Sequence, residues 1–163
     1  MRYGYKASAE QFGGRRLLEL ALLAERSGLD TISVSDHFQP WRHTGGQAPN
    51  ALTWLGAAAH GLRHALLGTS VLTPTMRYHP SIIAQAFATA AQIANGPVFL
   101  GVGTGEALNE VPATGMEWPG ARERRRRLEE AIDLIRRLWT EERVDFEGEY
   151  YRTRRATIYE RPE

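Results

Sequence analysis

A carboxylate, an imidazole and an indole share one short run, Asp36-His37-Phe38-Gln39-Pro40-Trp41. Imidazole ordinarily titrates near pH ~6.5, so His37 is able to take up a proton at neutral pH, while Asp36 is suited to orient or hydrogen-bond a ligand. Adjacent residues of an extended segment point opposite ways, so the two need not form a dyad. Trp41 offers a flat apolar wall. A second cluster is Gly101-Val102-Gly103-Thr104-Gly105-Glu106. Its glycines would let backbone N–H groups approach an anion, but the run lacks the Gly-Lys-Ser/Thr of a P-loop and the spacing of the dinucleotide fingerprint. An acid at Glu106 also repels phosphate. Glu106 therefore reads as a proton donor or hydrogen-bond acceptor. A metal reading would use Asp36, His37 and His43, but Lys6-Ala7-Ser8 adds no further ligand and no metal is expected.

Such groups need a scaffold that gathers strand ends. Thr31 to Ser35 alternates and is β-branched, and Pro40 excludes helix just after it, so Asp36 leaves the C-terminal end of a strand. Upstream, Tyr3 to Ala7 reads as a strand and Arg15 to Arg26 as a helix, with Leu17, Leu20, Ala21 and Ala24 on one face and Gly28 beyond its end. Ala51 to Leu62 gives a second helix, and Ala65 to Val71 a third strand of the continuous apolar kind. Pro80 opens a third helix with Ile83, Ala86, Phe87, Ala90 and Ala91 buried, and Gly96-Pro97 ends it. Val98 to Val102 forms a fourth strand. A long loop then runs to Pro119, before a fourth helix striped by Leu128, Ala131, Ile132, Ile135, Leu138 and Trp139. Val144 to Tyr151 reads as a hairpin with a glycine turn, and Thr157 to Tyr159 as the start of another strand.

Four β-then-α units in succession give an α/β chain. They fit a (β/α)8 TIM-type barrel cut near its middle, since a complete barrel takes roughly 250 residues. A four-stranded open sheet with helices on both faces fits the same pattern. In a parallel sheet, the loops Asp36 to Arg42, Ser70 to Thr75 and Gly103 to Glu110 would face one mouth, where such folds bind ligands.

Composition narrows the function classes. With 163 residues, 42% hydrophobic and 24% charged, the chain has the makings of a packed domain. The N-terminus has no apolar segment of a secretory signal and no long apolar run occurs, so neither export nor a membrane partner is expected. Cysteine is absent, consistent with a cytoplasmic location. A net charge of +1 provides no field for nucleic acid. The clustered arginines, Arg122 and Arg124 to Arg127, have Glu123, Glu129 and Glu130 at helical spacing and read as a solvated face without aromatic stacking partners in the run.

Read together, these segments resemble the N-terminal half of the F420-dependent glucose-6-phosphate dehydrogenases, in the luciferase-like superfamily of flavin and deazaflavin barrels. The resemblance covers about the whole chain and is carried by four runs: Gly4 to Phe12, Val34 to Arg42, Leu67 to Thr75 and Phe99 to Glu110. The pairing of Asp-His-Phe-Gln-Pro-Trp with Gly-Thr-Gly-Glu-Ala-Leu-Asn-Glu makes it specific. It implies that residues 1–163 are the N-terminal portion of one barrel domain. It also implies hydride transfer from C1 of glucose 6-phosphate, or a related sugar phosphate, to coenzyme F420, giving 6-phosphogluconolactone and reduced F420. His37 would be the base on the C1 hydroxyl, Trp41 would wall the site, and Glu106 would serve the cofactor's ring nitrogen. Asp36, Ser70, Val71, Thr73, Gly105, Glu106 and Asn109 would hold the cofactor, with a non-prolyl cis bond between Ser70 and Val71. Full-length members are expected to be homodimers. Members hold the substrate phosphate with lysines and arginines of the second half, which this sequence lacks, so the chain alone is expected to turn over weakly or not at all. Two alternatives stay open: a luciferase-like enzyme using FMN or F420 on another substrate, and a non-catalytic half-barrel.

Overall fold

The structure is a computed structural model that describes residues 1–162; Glu163, the last residue of the expected domain, lies outside them. The chain divides into two compact units, Met1–Leu72 with Ile93–Val102, and Thr73–Gln92 with Gly103 onward.

The first unit is built on four parallel strands, β1 (Gly4–Ala7), β2 (Thr31–Val34), β3 (Leu66–Thr69) and β4 (Val98–Phe99), which lie side by side in chain order. An open, doubly wound sheet reverses its strand order at a switch point. This sheet has no reversal among its described strands, and unbroken sequential order is the winding of a (β/α)8 barrel. In β2 the side chains alternate, with Ile32 and Val34 buried and Thr31 and Ser33 half-buried.

Helices α1 (Gly14–Arg26) and α2 (Ala51–Gly61) belong to the same unit. Leu17, Ala21 and Ala24 on α1 and Trp54, Leu55, Ala58 and Ala59 on α2 are buried. Gly28, at φ +90°, ends α1 in a left-handed turn: its N–H bonds the Glu25 carbonyl, and the Leu29 N–H bonds that of Ala24. Asn50 caps α2, its side-chain oxygen accepting the Thr53 N–H at 2.9 Å. Glu25, on the buried side of α1, accepts the backbone N–H groups of Arg63, His64 and Ala65 at 2.8 to 3.1 Å and so fixes the entry to β3.

The fourth strand is shorter than the Val98 to Val102 expected. The Gly101 carbonyl is taken by the Thr69 hydroxyl and the Leu72 N–H, both at 2.9 Å, so regular pairing stops at Phe99 and returns as one bridge between Leu72 and Val102. A Cβ at Gly101 would stand 2.1 Å from the Thr69 carbonyl oxygen, a close approach that only glycine permits.

The second unit holds α3 (Pro80–Ile93) as far as Gln92, α4 (Ala107–Thr114), α5 (Ala121–Thr140) and the antiparallel strands β5 (Val144–Glu147) and β6 (Arg152–Ala156). Several expectations need correction. On α3, Ala84 and Ala88 are buried while Ala86 and Ala91 are only half so. On α5, Leu134 is buried, and Leu128, Ile132 and Trp139 are half-buried. Trp139 reaches the Ala84 carbonyl with its indole N–H at 2.8 Å. The stretch read as a loop to Pro119 contains α4, hidden because eight residues give little periodicity and Pro112 inside them argues against helix. The hairpin begins its second strand at Arg152, since Glu130 takes the N–H groups of Glu149, Tyr150 and Tyr151 at 2.6 to 3.0 Å and removes them from the ladder. Thr157 to Tyr159 is not a strand.

The arginine run occupies the first two turns of α5. Glu123 pairs with Arg127 at 2.7 Å, and Arg126 pairs with Glu149. Aromatic partners arrive from outside the run: Arg124 lies over Trp118 and Arg127 over Tyr150, each 4.5 Å from the ring centre.

Candidate active site

In the first unit, three consecutive strand ends supply polar groups. The loop after β1 carries Glu10, the segment after β2 carries Asp36, His37 and Trp41, and β3 runs into Ser70 and Val71. Glu10 Oε1 stands 2.5 Å from His37 Nδ1 and accepts the Trp41 backbone N–H at 3.3 Å. One carboxylate oxygen therefore orients the imidazole and the chain bearing the indole. The buried Nδ1 faces the carboxylate without hydrogen-bond geometry, so the contact is one of charge, favouring a protonated ring. Both side chains are partly open, 18% exposed for His37 and 26% for Glu10, so a solute has access to the pair. Trp41 is 63% exposed.

Asp36 is buried, and its N–H donates to the Val71 carbonyl at 3.2 Å. The Ser70 N–H donates to the Val34 carbonyl at 2.8 Å, so β2 and the segment past β3 are stitched together where Asp36 emerges. The peptide bond between Ser70 and Val71 is cis. Val71 leaves 46% of its surface open, an apolar face on the residue whose carbonyl the Asp36 N–H reaches.

In the second unit, Glu106 caps the start of α4 and is itself exposed. Its carboxylate accepts from the Asn109 side-chain amide at 3.3 Å, and its carbonyl accepts the N–H groups of Asn109 and Glu110 at 3.0 Å. Gly105 has φ +86°, and a Cβ there would meet Thr73 Cγ2 at 3.0 Å and Glu110 Cγ at 3.2 Å, so both backbone freedom and space call for glycine. Thr73 and Asn109 are buried. Beneath the turn, Arg77 Nε meets both Glu110 oxygens at 3.3 Å, and the Arg77 N–H reaches Oε2 at 3.4 Å.

The first unit thus assembles Asp36, His37, Trp41, Ser70 and Val71, and the second assembles Thr73, Gly105, Glu106 and Asn109. Sequence reasoning missed Glu10, which the structure sets against His37, and the buried Arg77–Glu110 pair. The available signal for Glu10 was an acid in the loop after a strand end, two positions beyond the Lys6-Ala7-Ser8 segment. Among the described residues no group of three His, Cys, Asp or Glu is placed to hold a metal ion. No helix among them is long and apolar enough to cross a membrane.

Comparison with known proteins places this geometry in context. The chain is 60% identical over 162 residues to an F420-dependent glucose-6-phosphate dehydrogenase of Nakamurella multipartita, covering 99% of this chain and 48% of that protein. It is 59% identical over 165 residues to the enzyme of the same name from Mycolicibacterium smegmatis, covering 100% of this chain and 49% of the relative. Among solved structures, an F420-dependent secondary alcohol dehydrogenase in complex with an F420–acetone adduct superposes with a TM-score of 0.95 at 42% identity, over 99% of this chain and 49% of that one. The chain spans about half the length of the curated relatives it matches. The profile of the luciferase-like monooxygenases matches residues 1–163, the whole sequence, and the chain with its sequentially wound parallel strands belongs to that family.

Proposed function

We propose that this chain forms the N-terminal portion of a single (β/α)8 barrel that transfers a hydride from C1 of glucose 6-phosphate, or a related sugar phosphate, to coenzyme F420. The products are 6-phosphogluconolactone and reduced F420. The observation that carries this reading is the His37 imidazole, held at Nδ1 by Glu10 at 2.5 Å and open to solute, in a chain so similar to enzymes of that name.

The donor set suits the cofactor. A deazaflavin has an apolar face and a polar edge, and the first unit offers the open Val71 side chain and the buried Asp36 carboxylate, while the second offers the Asn109 amide, Thr73 and the close-fitting Gly105. Asp36, Ser70, Val71, Thr73, Gly105, Glu106 and Asn109 would hold it. When bound, F420 supplies a two-electron acceptor for hydride. His37 Nε2 takes the proton leaving the C1 hydroxyl, and the charge that then forms on the ring is stabilised by Glu10. Trp41 walls off water from the reacting sugar carbon, and Glu106 holds the proton destined for the cofactor's ring nitrogen. Homodimerisation and a cytoplasmic location complete the reading.

Titration of F420 against the protein, followed by deazaflavin absorbance with FMN as control, tests it. Saturable F420 binding is expected; tight FMN binding without F420 binding refutes it. In a chain that turns over, His37→Ala abolishes turnover with cofactor binding kept, whereas Asp36→Ala weakens cofactor binding. A second reading, F420-dependent oxidation of a simple alcohol, is favoured by the likeness to the secondary alcohol dehydrogenase. Substrate screening of F420 reduction with glucose 6-phosphate against isopropanol separates the two.

A further inference from the structure

We propose that Arg77 and Glu110 are positioning residues that lock the turn carrying Glu106. The inference deepens the proposed function, and it rests on that reading for the ligand but not for the geometry.

Arg77 and Glu110 bring opposite charges into the interior of the second unit, with side chains only 8% and 2% exposed. Such a pair gains little over packed apolar side chains, because removing both ions from water costs about as much as their attraction returns. Its value lies in direction. Arg77 meets both oxygens of one carboxylate through Nε and adds its own backbone N–H, so the position of Glu110 is set from two points of the 73–79 segment.

Glu110 lies one helical turn beyond Glu106 on α4 and is bonded to it through the backbone. The aliphatic stem of Glu110 and the methyl of Thr73 press against Gly105 from the side a Cβ would occupy. Further along the helix, the Glu110 carbonyl accepts the Thr114 hydroxyl at 2.7 Å, a local bond around Pro112, which itself lacks a ladder N–H. A second tether supports the Arg77 segment: the buried Tyr151 hydroxyl donates to the Thr75 carbonyl at 2.8 Å. The exposed Glu106 carboxylate thus stands on a turn braced from below by a sealed guanidinium. Lysine keeps the charge at that place but presents no planar fork.

Hydrogen exchange of the ligand-free chain provides the first test, comparing wild type with Arg77→Lys and Glu110→Gln, and with Glu123→Gln on α5 as a control. Protection of the amides at Asn109 and Glu110 is expected to fall at least about tenfold in the two variants, with α5 and β5–β6 unchanged. Unchanged protection at those amides, or a uniform fall across the second unit, overturns the proposal, the latter because it marks a merely structural pair. F420 titration is the second test. Dissociation constants about tenfold higher in Arg77→Lys, with wild-type protection on α5, support positioning. Equal binding by wild type and variant defeats the positioning role and leaves the proposed function standing. Failure of wild type itself to bind F420 defeats the proposed function, and the exchange result alone then decides the role of the pair.

Discussion

Two acid–base pairs of this chain, one in each unit, are built on opposite plans. His37 and Glu10 form a partly open contact, with 18% and 26% of their side chains exposed, whereas Arg77 and Glu110 are sealed at 8% and 2%. The open pair leaves part of the imidazole accessible to a solute, which a proton acceptor needs. The sealed pair is shut off from solvent, and its directionality is spent on holding backbone. Burial, more than residue type, separates a carboxylate that does chemistry from one that aims another.

That contrast is open to direct attack. Glu110→Ala leaves the buried Arg77 guanidinium without its counter-ion and is expected to cost about 3–5 kcal/mol in urea unfolding. A loss no larger than that of Glu10→Ala would erase the distinction between the pairs. Glu25 in the first unit extends the sealed class, since a buried carboxylate there binds three consecutive backbone N–H groups. Glu25→Gln is expected to cost about 2 kcal/mol, in the range of hydrogen bonds to charged groups. Burial disfavours its charge, but the His64, Ala65 and Arg63 N–H groups outweigh that and hold the carboxyl below its ordinary 4.5. A depressed carboxyl stabilises the fold above its unfolded value, so stability falls as pH drops below 4.5 and the wild-type slope there exceeds that of Glu25→Gln. Parallel slopes in acid titrations of the two proteins would sink this account.

Tyr151 is the neutral member of the sealed class. Tyr151→Phe removes the hydroxyl that reaches Thr75 and is expected to lower stability by about 1 kcal/mol. Burial pushes its phenol from 10.0 up to about 12, so its contribution is complete below pH 10 and declines as the medium passes from 10 toward 12. Alkaline titration of tyrosinate absorbance in wild type against Tyr151→Phe reads that late-ionising phenol directly. The smallest effect on stability belongs to the open pair: Glu10→Gln should shift unfolding by less than about 1 kcal/mol, as partly exposed ion pairs do. In a chain that turns over, the same change should still lower turnover, because the charge that forms on His37 loses its anionic partner. A flat response in both measurements would leave Glu10 without a role.

Much of the scaffold was legible in the residues. The two-residue alternation of Thr31 to Val34 and the spacing of Leu17, Ala21 and Ala24 are local patterns, written by the periods of strand and helix. They place Asp36 and His37 at a strand end. Helix α4 escaped because Pro112 contradicts the local rule, and the hairpin register escaped because Glu130, some twenty positions upstream, captures its donors. Local propensity does not register either effect.

What the sequence alone determined is the βα succession and the stations of the reactive side chains, because those follow from neighbours a few residues apart. What only the tertiary structure decided is their partners. Glu10 meets the Trp41 N–H across 31 positions, and Glu110 meets Arg77 across 33. Charged side chains carry no periodic signature of burial, and by composition alone each of these acids reads as a solvated surface group. Strand winding carries separate loops into contact, and only that contact sets which acid orients an imidazole and which is sealed as a brace.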